Sequence, residues 1–231
     1  RRIASISVIH KLKGHYLDTK HPIIMENLLG IKRVKGSNQK AKKPILINDL
    51  KLIINVIDQT NQTEKRKIRD KAIILIGFSG GFRRSELVNL IYDDVEFVNE
   101  GVKIFIKRSK TDQSGEGMTK AIPYFDNQLF CPVVSLKNWM SNSEIKSGKI
   151  FDISDKSIAL IVKKYASLSG LDPNKYSGHS LRSGFATATA ESGAEERNIM
   201  AMTGHKTSQM VRRYIQEANL FKNNALNKIK F

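Results

Sequence analysis

Basic and polar side chains are concentrated in three short segments of this chain. The segments are 80–87 (GGFRRSEL), 178–182 (GHSLR) and 203–214 (TGHKTSQMVRRY), and no acidic residue lies between His205 and Tyr214. Guanidinium groups bind phosphate bidentately and stay charged at any working pH. Imidazoles donate hydrogen bonds or move protons near neutrality. A tyrosine hydroxyl becomes a nucleophile where cations stabilise its phenolate. Together these groups favour a metal-free phosphoryl-transfer site, in which fixed positive charge does the work of Mg²⁺.

The composition favours a polyanionic partner. The 231 residues carry a formal net charge of +17, an excess that suits DNA, RNA or an anionic membrane surface. The single cysteine, Cys131, excludes a disulfide within the chain and a multi-Cys zinc site. Three histidines lie outside the motifs, with no nearby cysteine and no glutamate at ligand spacing: His10, His15 and His21. We therefore expect no metal and no cofactor.

The N-terminal residues predict a piece of a larger helical domain. Four apolar residues stand at roughly helical spacing, namely Ile3, Ile6, Ile9 and Leu12, and Pro22 suits the start of a second helix that ends near Gly30. Thirty residues cannot bury a core of their own. We expect residues 1–35 to be the C-terminal part of a larger helical domain whose remainder lies upstream, and residues 36–44 to be a basic linker. The first residues of the sequence lack an apolar stretch long enough for a secretory signal, and no apolar run reaches membrane-spanning length, so we expect no membrane association.

Residues 45–231 predict one compact α+β domain, mainly α-helical with a small three-stranded antiparallel sheet. A first helix, capped by Asn48, carries Ile47, Leu50, Ile54 and Ile57 on one face. The further predicted helices are Lys67–Phe78, Phe82–Leu90, Pro132–Met140, Asp155–Leu168, Ser180–Glu191, Glu195–Met202 and Thr207–Ile215. The predicted strands are Glu96–Val98, Val102–Ile106 and Ala121–Tyr124, with a long polar loop over 107–120. Residues 217–231 are expected to form a basic tail.

The motifs, in this order, resemble the catalytic half of a tyrosine recombinase of the phage integrase family. That family has a Gly-hydrophobic-Arg-x-x-Glu-Leu segment, which 81–87 matches and which selects Arg83 rather than Arg84 as the catalytic arginine. Its His-x-x-Arg motif matches 179–182, and its Gly-His and tyrosine match His205, 23 residues after Arg182, and Tyr214, 9 further on. The family's catalytic lysine lies in a loop between two strands, where this chain has Lys110.

The resemblance implies a transesterification on DNA that needs neither metal nor ATP. Tyr214 would attack a scissile phosphate and form a 3′-phosphotyrosyl bond, while a 5′-hydroxyl departs. Arg83 and Arg182 would clamp the non-bridging oxygens, and His205 would donate to the same oxygens. The two remaining roles are those of Lys110, which would protonate the departing 5′ oxygen, and His179, which would accept a proton or position groups near Tyr214.

Other charged residues are assigned supporting roles. Glu86 is the one acid beside the cationic cluster, and we interpret it as a buttress that orients Arg83 or a neighbouring histidine rather than as an ordinary acid at a helix start. A further set of basic residues is predicted to contact DNA phosphates: Arg84, Lys206, Arg212, Arg213, Lys40, Lys42 and Lys43. Among the other tyrosines, Tyr176 lies close enough to His179 to be a rival nucleophile, and Tyr165 is expected to be structural.

Three alternative functions are open from the sequence. A type IB topoisomerase uses similar Arg, His, Lys and Tyr chemistry, although the C-terminal tail and the motif context favour a recombinase. A non-catalytic DNA-binding regulator on a recombinase fold is disfavoured because all six motif residues are intact. A metal-dependent nuclease would need a carboxylate cluster, which the sequence lacks.

The implied biology is that of a site-specific recombinase of a mobile element. We expect double-stranded DNA as the substrate, a homo-oligomer on DNA in the form of a tetrameric synapse, and accessory DNA-bending proteins. We expect the protein in the bacterial cytoplasm, associated with the nucleoid.

Overall fold

The chain divides into two compact units, Arg1–Ala41 and Lys42–Phe231. The computed structural model describes residues 2–36, 42–107, 116–205, 207–219 and 225–229. In the first unit, helix α1 spans Arg2–Leu12 and helix α2 spans Pro22–Lys35. Neither helix buries a residue, so apolar side chains remain exposed along both of them.

Helix α2 is longer than the sequence pattern predicted. We expected an end near Gly30, but the helix continues to Lys35 and ends before Gly36, whose φ of 71° lies in the left-handed region. A glycine inside a helix costs only about 1 kcal/mol relative to alanine. Gly30 is therefore tolerated, and the left-handed Gly36 terminates the helix.

The second unit is an α+β fold, as predicted. Its helices are α3 (Ile47–Gln59), α4 (Glu64–Ser79), α5 (Arg84–Val88), α6 (Pro132–Asn142), α7 (Asp155–Leu168), α8 (His179–Glu191), α9 (Glu196–Thr203) and α10 (Ser208–Asn219). Its strands are β1 (Val95–Val98), β2 (Gly101–Ile106) and β3 (Met118–Pro123). Short 3₁₀ turns cover Tyr92–Asp94, Gln128–Phe130, Pro173–Lys175 and Ala225–Lys228.

Helix α4 is the centre of the core. Its second half is apolar on every side, and the run Ile73–Ile76 is almost completely buried. A helix that is hydrophobic all round must be surrounded by other elements, and α4 packs against α6 and α8. At the contact with α8, a Cβ on Gly77 would lie within 2.9 Å of the Leu181 side chain, so the small residue lets the two helices approach.

The predicted cap of α3 is wrong. The helix begins at Ile47, its N-cap is Leu46, and no side chain caps it, so Asn48 lies inside the first turn. The start is fixed instead by Ile45, which is buried and whose N–H donates to the Ser180 carbonyl at 3.0 Å. Tertiary anchoring of the entering chain thus sets the helix start here.

The sheet has the order β1-β2-β3 and is antiparallel throughout. Side chains alternate between the two faces, as the two-residue period of a strand requires. In β3 the inward positions are Lys120 and Ile122, both buried. The predicted strand began at Ala121 and ended at Tyr124, whereas the observed one begins at Met118, and this shift brings Lys120 into the sheet.

The C-terminal helices form a separate, smaller cluster. Its buried residues are Ala186, Ala190, Ile199 and Val211, with Tyr214 and Ile215 packed against them. The sequence predicted that a tail begins at residue 217. Helix α10 instead runs to Asn219, so residues 217–219 are its last turn. No proline or glycine interrupts residues 208–219, and so nothing local ends the helix at Ile215.

No helix in the described ranges is both long and apolar enough to cross a membrane.

Candidate active site

Arg83, Arg182, His205 and Tyr214 lie on different elements and come together on one side of the second unit. Arg83 precedes α5, Arg182 lies in the first turn of α8, His205 follows α9, and Tyr214 is in α10. Arg182 Nη2 is 3.1 Å from His205 Nε2, and the rings of His205 and Tyr214 have centroids 6.3 Å apart. A Cβ on Gly204 would lie 4.0 Å from Arg83 Nη1, which places Arg83 beside the residue before His205.

The backbone before Arg83 is shaped by a glycine that no other residue could replace without strain. Gly81 has a φ of 54°, in the left-handed region, and a Cβ there would lie 3.0 Å from Phe185 and 3.1 Å from Thr203. Its carbonyl accepts a hydrogen bond from Arg182 Nη1 at 2.8 Å. The glycine thus lets the turn approach α8 and α9 closely and ties it to the second arginine.

Glu86 holds Arg83 by two contacts. Glu86 Oε1 accepts from Arg83 Nη1 at 2.6 Å, and Oε2 accepts from the Arg83 backbone N–H at 3.0 Å. The Glu86 side chain is only 1% exposed, whereas that of Arg83 is 18% exposed. The buried carboxylate therefore fixes the side chain and the backbone of a more accessible arginine.

Arg182 is buried and yet charged. It is 1% exposed. Burial, and then the nearby charge of Arg83, lower its pKa to about 10, while Glu86 and Tyr214 act in the opposite direction. The guanidinium is thus a fixed cation at neutral pH, held between the Gly81 carbonyl and the His205 ring.

The hydrogen bonds of His205 select one tautomer. A guanidinium can only donate, so Nε2 of His205 accepts from Arg182. Nδ1 lies 2.8 Å from Thr203 Oγ1, and that hydroxyl donates to the Ile199 carbonyl at 2.6 Å. His205 Nδ1–H is therefore the donor to Thr203, and the ring is neutral. Burial, followed by Arg182 and Arg83, lowers its pKa to about 4.

His179 stands at the mouth of the site. It is the first residue of α8 and is exposed. Its pKa is lowered, first because the site partly removes water from the ring and then because Arg182, Arg83 and Arg84 are cations. The imidazole is thus favoured in its neutral form, which can accept a proton.

The comparisons with known proteins follow this geometry. Residues 45–220, which hold all of the sequence-predicted catalytic residues, match the model of the phage integrase family. The chain belongs to the phage integrase family. It is 42% identical over 244 residues to an integrase/recombinase xerD homolog of Selenomonas ruminantium, covering 99% of this chain and 71% of that protein. It is 29% identical to a tyrosine recombinase of Agathobacter rectalis, covering 94% of this chain and 71% of that protein.

Solved structures support the fold of this phage integrase family member. The XerH site-specific recombinase bound to its palindromic difH substrate matches with a TM-score of 0.65 and 22% identity, over 82% of this chain and 57% of that one. The XerA recombinase matches with a TM-score of 0.63 and 15% identity, over 99% of this chain and 74% of that one. The family and the named relatives identify the chain as a tyrosine-type site-specific recombinase.

Two other tyrosines of this integrase family member, Tyr176 and Tyr165, are engaged in structural contacts. The Tyr176 hydroxyl donates to Asp49 Oδ2 at 3.0 Å, and burial together with Asp49 raises the Tyr176 pKa to about 12. The Tyr165 hydroxyl donates to Asp70 Oδ2 at 2.8 Å, and burial followed by Asp70 raises its pKa. Both phenols are held in the neutral form and are poor nucleophiles.

Two of the predicted phosphate contacts are paired with acids in this structure. Arg84 lies 3.7 Å from Asp155, and its stem packs on Gly178; Arg212 lies 3.3 Å from Glu196. Arg213 is exposed on α10. Lys42 and Lys43 are also exposed, with the Lys42 ammonium on the Asn174 carbonyl and the Lys43 N–H on the Lys175 carbonyl. Three predicted residues lie outside the described ranges: Lys40, Lys110 and Lys206.

Sequence reasoning missed Lys120. It is fully buried, and its ammonium lies 3.8 Å from Oε2 of Glu86, the carboxylate that is paired with Arg83. The signal that could have found it is the strand period: a strand extended back to Met118 places a lysine on the same face as Ile122. A lysine at an inward position indicates a buried cation with specific partners.

Proposed function

We propose that this recombinase cuts and rejoins double-stranded DNA with Tyr214 as its nucleophile. The observation that carries the proposal is the convergence of Tyr214 on a neutral imidazole and two arginines, one of which is buried. Fixed cations preorganised around a phosphate stabilise the charge that develops in the transition state. The DNA-bound XerH neighbour supports double-stranded DNA as the substrate.

The proposed step conserves the energy of the broken ester. The Tyr214 oxygen attacks phosphorus, a tyrosyl O–P bond forms, and the P–O5′ bond breaks. The tyrosine proton leaves to a base, and the 5′ oxygen takes up a proton as it departs. The product is a 3′-phosphotyrosyl bond and a free 5′-hydroxyl, and attack by a 5′-hydroxyl from a second duplex reverses the step and exchanges strands.

Arg83 and Arg182 are the proposed phosphate clamp. Arg83 is fixed by buried Glu86 but is itself partly accessible, so it can meet a phosphate at the surface. Arg182 is nearly inaccessible and is bonded to His205. We propose that a phosphate oxygen replaces His205 Nε2 as the acceptor for Arg182 Nη2.

This replacement gives His205 its role. Once Arg182 turns to the phosphate, His205 Nε2 loses the donor that kept it an acceptor. The negative charge of the phosphate favours the protonated ring, and Nε2–H can then donate to a non-bridging oxygen. The DNA-free arrangement is thus a resting state of the clamp, and substrate converts it to the donating state.

Two roles rest on the family resemblance together with position. His179 at the N-terminus of α8, with its lowered pKa, is the proposed acceptor or positioning group for the Tyr214 proton. Lys110, between β2 and β3, is the proposed donor to the departing 5′ oxygen.

The proposed assembly is a homo-oligomer on DNA. Residues 1–35 would be the C-terminal part of a helical DNA-binding domain, the core-binding domain. The basic linker 36–44 would lie along the DNA backbone, and the tail after α10 would dock on a neighbouring protomer. Because residues 217–219 belong to α10, a truncation that tests the tail should remove 220–231. We expect it to lower assembly on DNA, measured by sedimentation, before it lowers phosphate binding. A tetrameric synapse, accessory DNA-bending proteins and a place on the nucleoid complete the proposal.

Covalent capture tests the proposed function. The protein is incubated in EDTA with nicked fragments of host DNA, quenched in SDS, and the ends of protein-linked DNA are sequenced. We expect clustered 3′-linked ends that are absent with Tyr214→Phe. Scattered ends would favour a topoisomerase, and no adduct from the wild-type protein would favour a DNA-binding regulator.

Two further tyrosine variants serve as controls. Tyr176→Phe removes the neighbouring phenol that is bonded to Asp49, and Tyr124→Phe changes an exposed phenol. Both should form adducts at the wild-type level.

A further inference from the structure

The Lys120 side chain contacts three segments that border the candidate active site. Its ammonium donates to the Gly80 carbonyl at 2.6 Å and to the Met202 carbonyl at 2.7 Å. It lies 3.8 Å from Glu86 Oε2 and 4.4 Å from the centre of the Phe82 ring. One buried cation therefore contacts the turn before Arg83, the carboxylate that holds Arg83, and the end of α9.

These contacts reach both faces of the phosphate site. Gly80 and Phe82 lead into Arg83, and Glu86 fixes the Arg83 side chain. Met202 stands one residue before Thr203, the hydroxyl that accepts from His205 Nδ1–H. The position of Lys120 thus couples the segment that orients Arg83 to the segment that orients His205.

An apolar residue would fill the same place in the sheet but could not make these contacts. The neighbouring inward position of β3 is Ile122, as a buried strand face requires. Without the ammonium, the Gly80 and Met202 carbonyls would lose a charged donor, and a buried acceptor without a partner is destabilising. Glu86 would also keep only one of its two cations.

We propose that Lys120 is a positioning residue of the recombination reaction, which holds Arg83 and His205 in the relative placement that a phosphate needs. The proposal rests on the function proposed above. Lys120 is fully buried and its ammonium is directed at two backbone carbonyls, so it acts through its neighbours and not as the donor to the leaving group. Burial lowers its pKa to about 7, with the charge of Glu86 opposing the shift and the charges of Arg182 and Arg83 adding to it.

The kinetic test compares two leaving groups. Lys120→Met, Lys120→Arg and the matched control Lys103→Met, an exposed lysine on adjacent strand β2, are assayed for single-turnover cleavage of a nicked duplex. One substrate carries the natural O5′ and the other a bridging sulfur, which departs without a proton. A displacement of about 1 Å at a catalytic group costs on the order of 10²-fold in rate.

We expect Lys120→Met to be slower by about 10²-fold on both substrates, Lys120→Arg to recover part of the rate because it keeps charge and donors, and Lys103→Met to match wild type. Two outcomes would overturn the proposal. Recovery of Lys120→Met on the sulfur substrate alone would make Lys120 the proton donor, and a wild-type rate in a less stable protein would make it structural only.

A second readout needs no DNA and no activity. Imidazole nitrogen NMR of His205 in the free protein reports its tautomer and its pKa. Because the Lys120 charge is one of the causes that lower the His205 pKa, we expect Lys120→Met to raise that pKa and to mix the tautomers. If Lys120→Met does not fold, Lys120→Arg carries both measurements: because it keeps the charge but changes the placement of the donors, we expect a smaller loss of rate and mixed His205 tautomers without a rise of the His205 pKa.

The two readouts separate the two claims. If wild-type protein forms no covalent adduct while the His205 signals change in Lys120→Met, the proposed function fails and the coupling stands. If wild type forms the adduct but Lys120→Met leaves both the rate and the His205 signals unchanged, the positioning role is wrong.

Discussion

The active site is built from two regions that differ in how firmly they are held. Arg83 is fixed by Glu86 and Lys120, which are almost fully buried at the edge of the main core. Tyr214 lies on α10 and packs against a smaller cluster. The buried residues of that cluster are two alanines, Ala186 and Ala190, together with Ile199 and Val211. Arg83, the proposed phosphate-binding group, thus lies on a firmly held wall formed with Glu86 and Lys120, whereas the proposed nucleophile lies on a helix in which only Val211 is buried among the described side chains.

The difference matches the different demands on the two regions. Electrostatic stabilisation needs preorganised charges, which must not reorganise during the reaction. A nucleophile that becomes bonded to DNA and must later release it benefits from an element that can shift at low cost, and such elements have few buried contacts. His205 stands between the two regions, bonded to Arg182 and beside the Tyr214 ring.

The largest effect is expected from removing the fork of the buried arginine. Arg182→Lys keeps a charge but cannot bond the Gly81 carbonyl and a phosphate together in the same geometry. We expect the single-turnover rate of adduct formation to fall by about 10³-fold. Arg197→Lys, an exposed arginine paired with Glu195, should keep the wild-type rate. A loss of less than tenfold in Arg182→Lys would remove this arginine from the clamp.

Removing the charge of Glu86, the carboxylate that holds Arg83, should lower the free energy of unfolding. Glu86→Gln leaves Arg83 and Lys120 without their shared anion, and removal of one partner from a buried pair costs about 3–5 kcal/mol. Urea unfolding measures the free energy. The matched control is Glu96→Gln, which breaks the exposed pair with Lys103 and should cost about 0–1 kcal/mol. Equal costs for the two variants would contradict a firmly held wall.

Hydrogen exchange should sharpen the contrast between the wall and the nucleophile helix. We expect amides of α10 to exchange faster than those of α4, because Val211 is the one buried residue among the described side chains of α10, whereas the second half of α4 is buried throughout. Val211→Ala removes a fully buried side chain and should lower protection in α9 and α10 by on the order of 1–2 kcal/mol.

The control for that experiment is Ile74→Val in α4. It should lower the stability of the main core, and its effect should not be confined to α9 and α10. Equal protection of α4 and α10 in the wild-type protein would contradict the comparison.

A pH dependence of stability is expected to originate at the boundary between the two regions. The His205 pKa is about 4 in the folded protein, against an ordinary value of 6.5. Between these values the unfolded chain binds more protons than the folded one, so the free energy of unfolding falls as the pH is lowered from 6.5 to about 4. Urea unfolding of His205→Gln should lack this part of the decrease. Identical pH curves for the two proteins would contradict a buried, neutral His205.

The family motifs supplied most of the candidate site residues, because their spacing restricts which residues can take the family's roles. The motifs point to Arg83 over Arg84 and to Tyr214 over Tyr176; the structure places Arg83 beside Gly204 and Tyr214 beside His205, and the Tyr176 hydroxyl donates to Asp49. Strand and helix positions followed from periodicity to within a few residues. Their ends did not, as Asn48 and the continuation of α2 past Gly30 demonstrate.

The features that the sequence could not provide depend on contacts between distant segments. The tautomer of His205 follows from Arg182 and Thr203, which are brought to it by two different helices. The role of Lys120 follows from two carbonyls, of Gly80 and Met202, and backbone carbonyls leave no mark in a sequence. The sequence motifs therefore select the proposed reacting groups, and only the tertiary structure identifies the contacts that hold them.

The most direct measurement identifies the atom that is bonded to DNA. The adduct from wild-type protein is digested with nuclease and protease, and the peptide that carries the remaining nucleotide is sequenced by mass spectrometry. The account predicts a nucleotide joined through its 3′ phosphate to the Tyr214 oxygen, with the Tyr176 peptide unmodified. A nucleotide on Tyr176 or on any other residue would contradict the assignment of the nucleophile and the function of the site built around it.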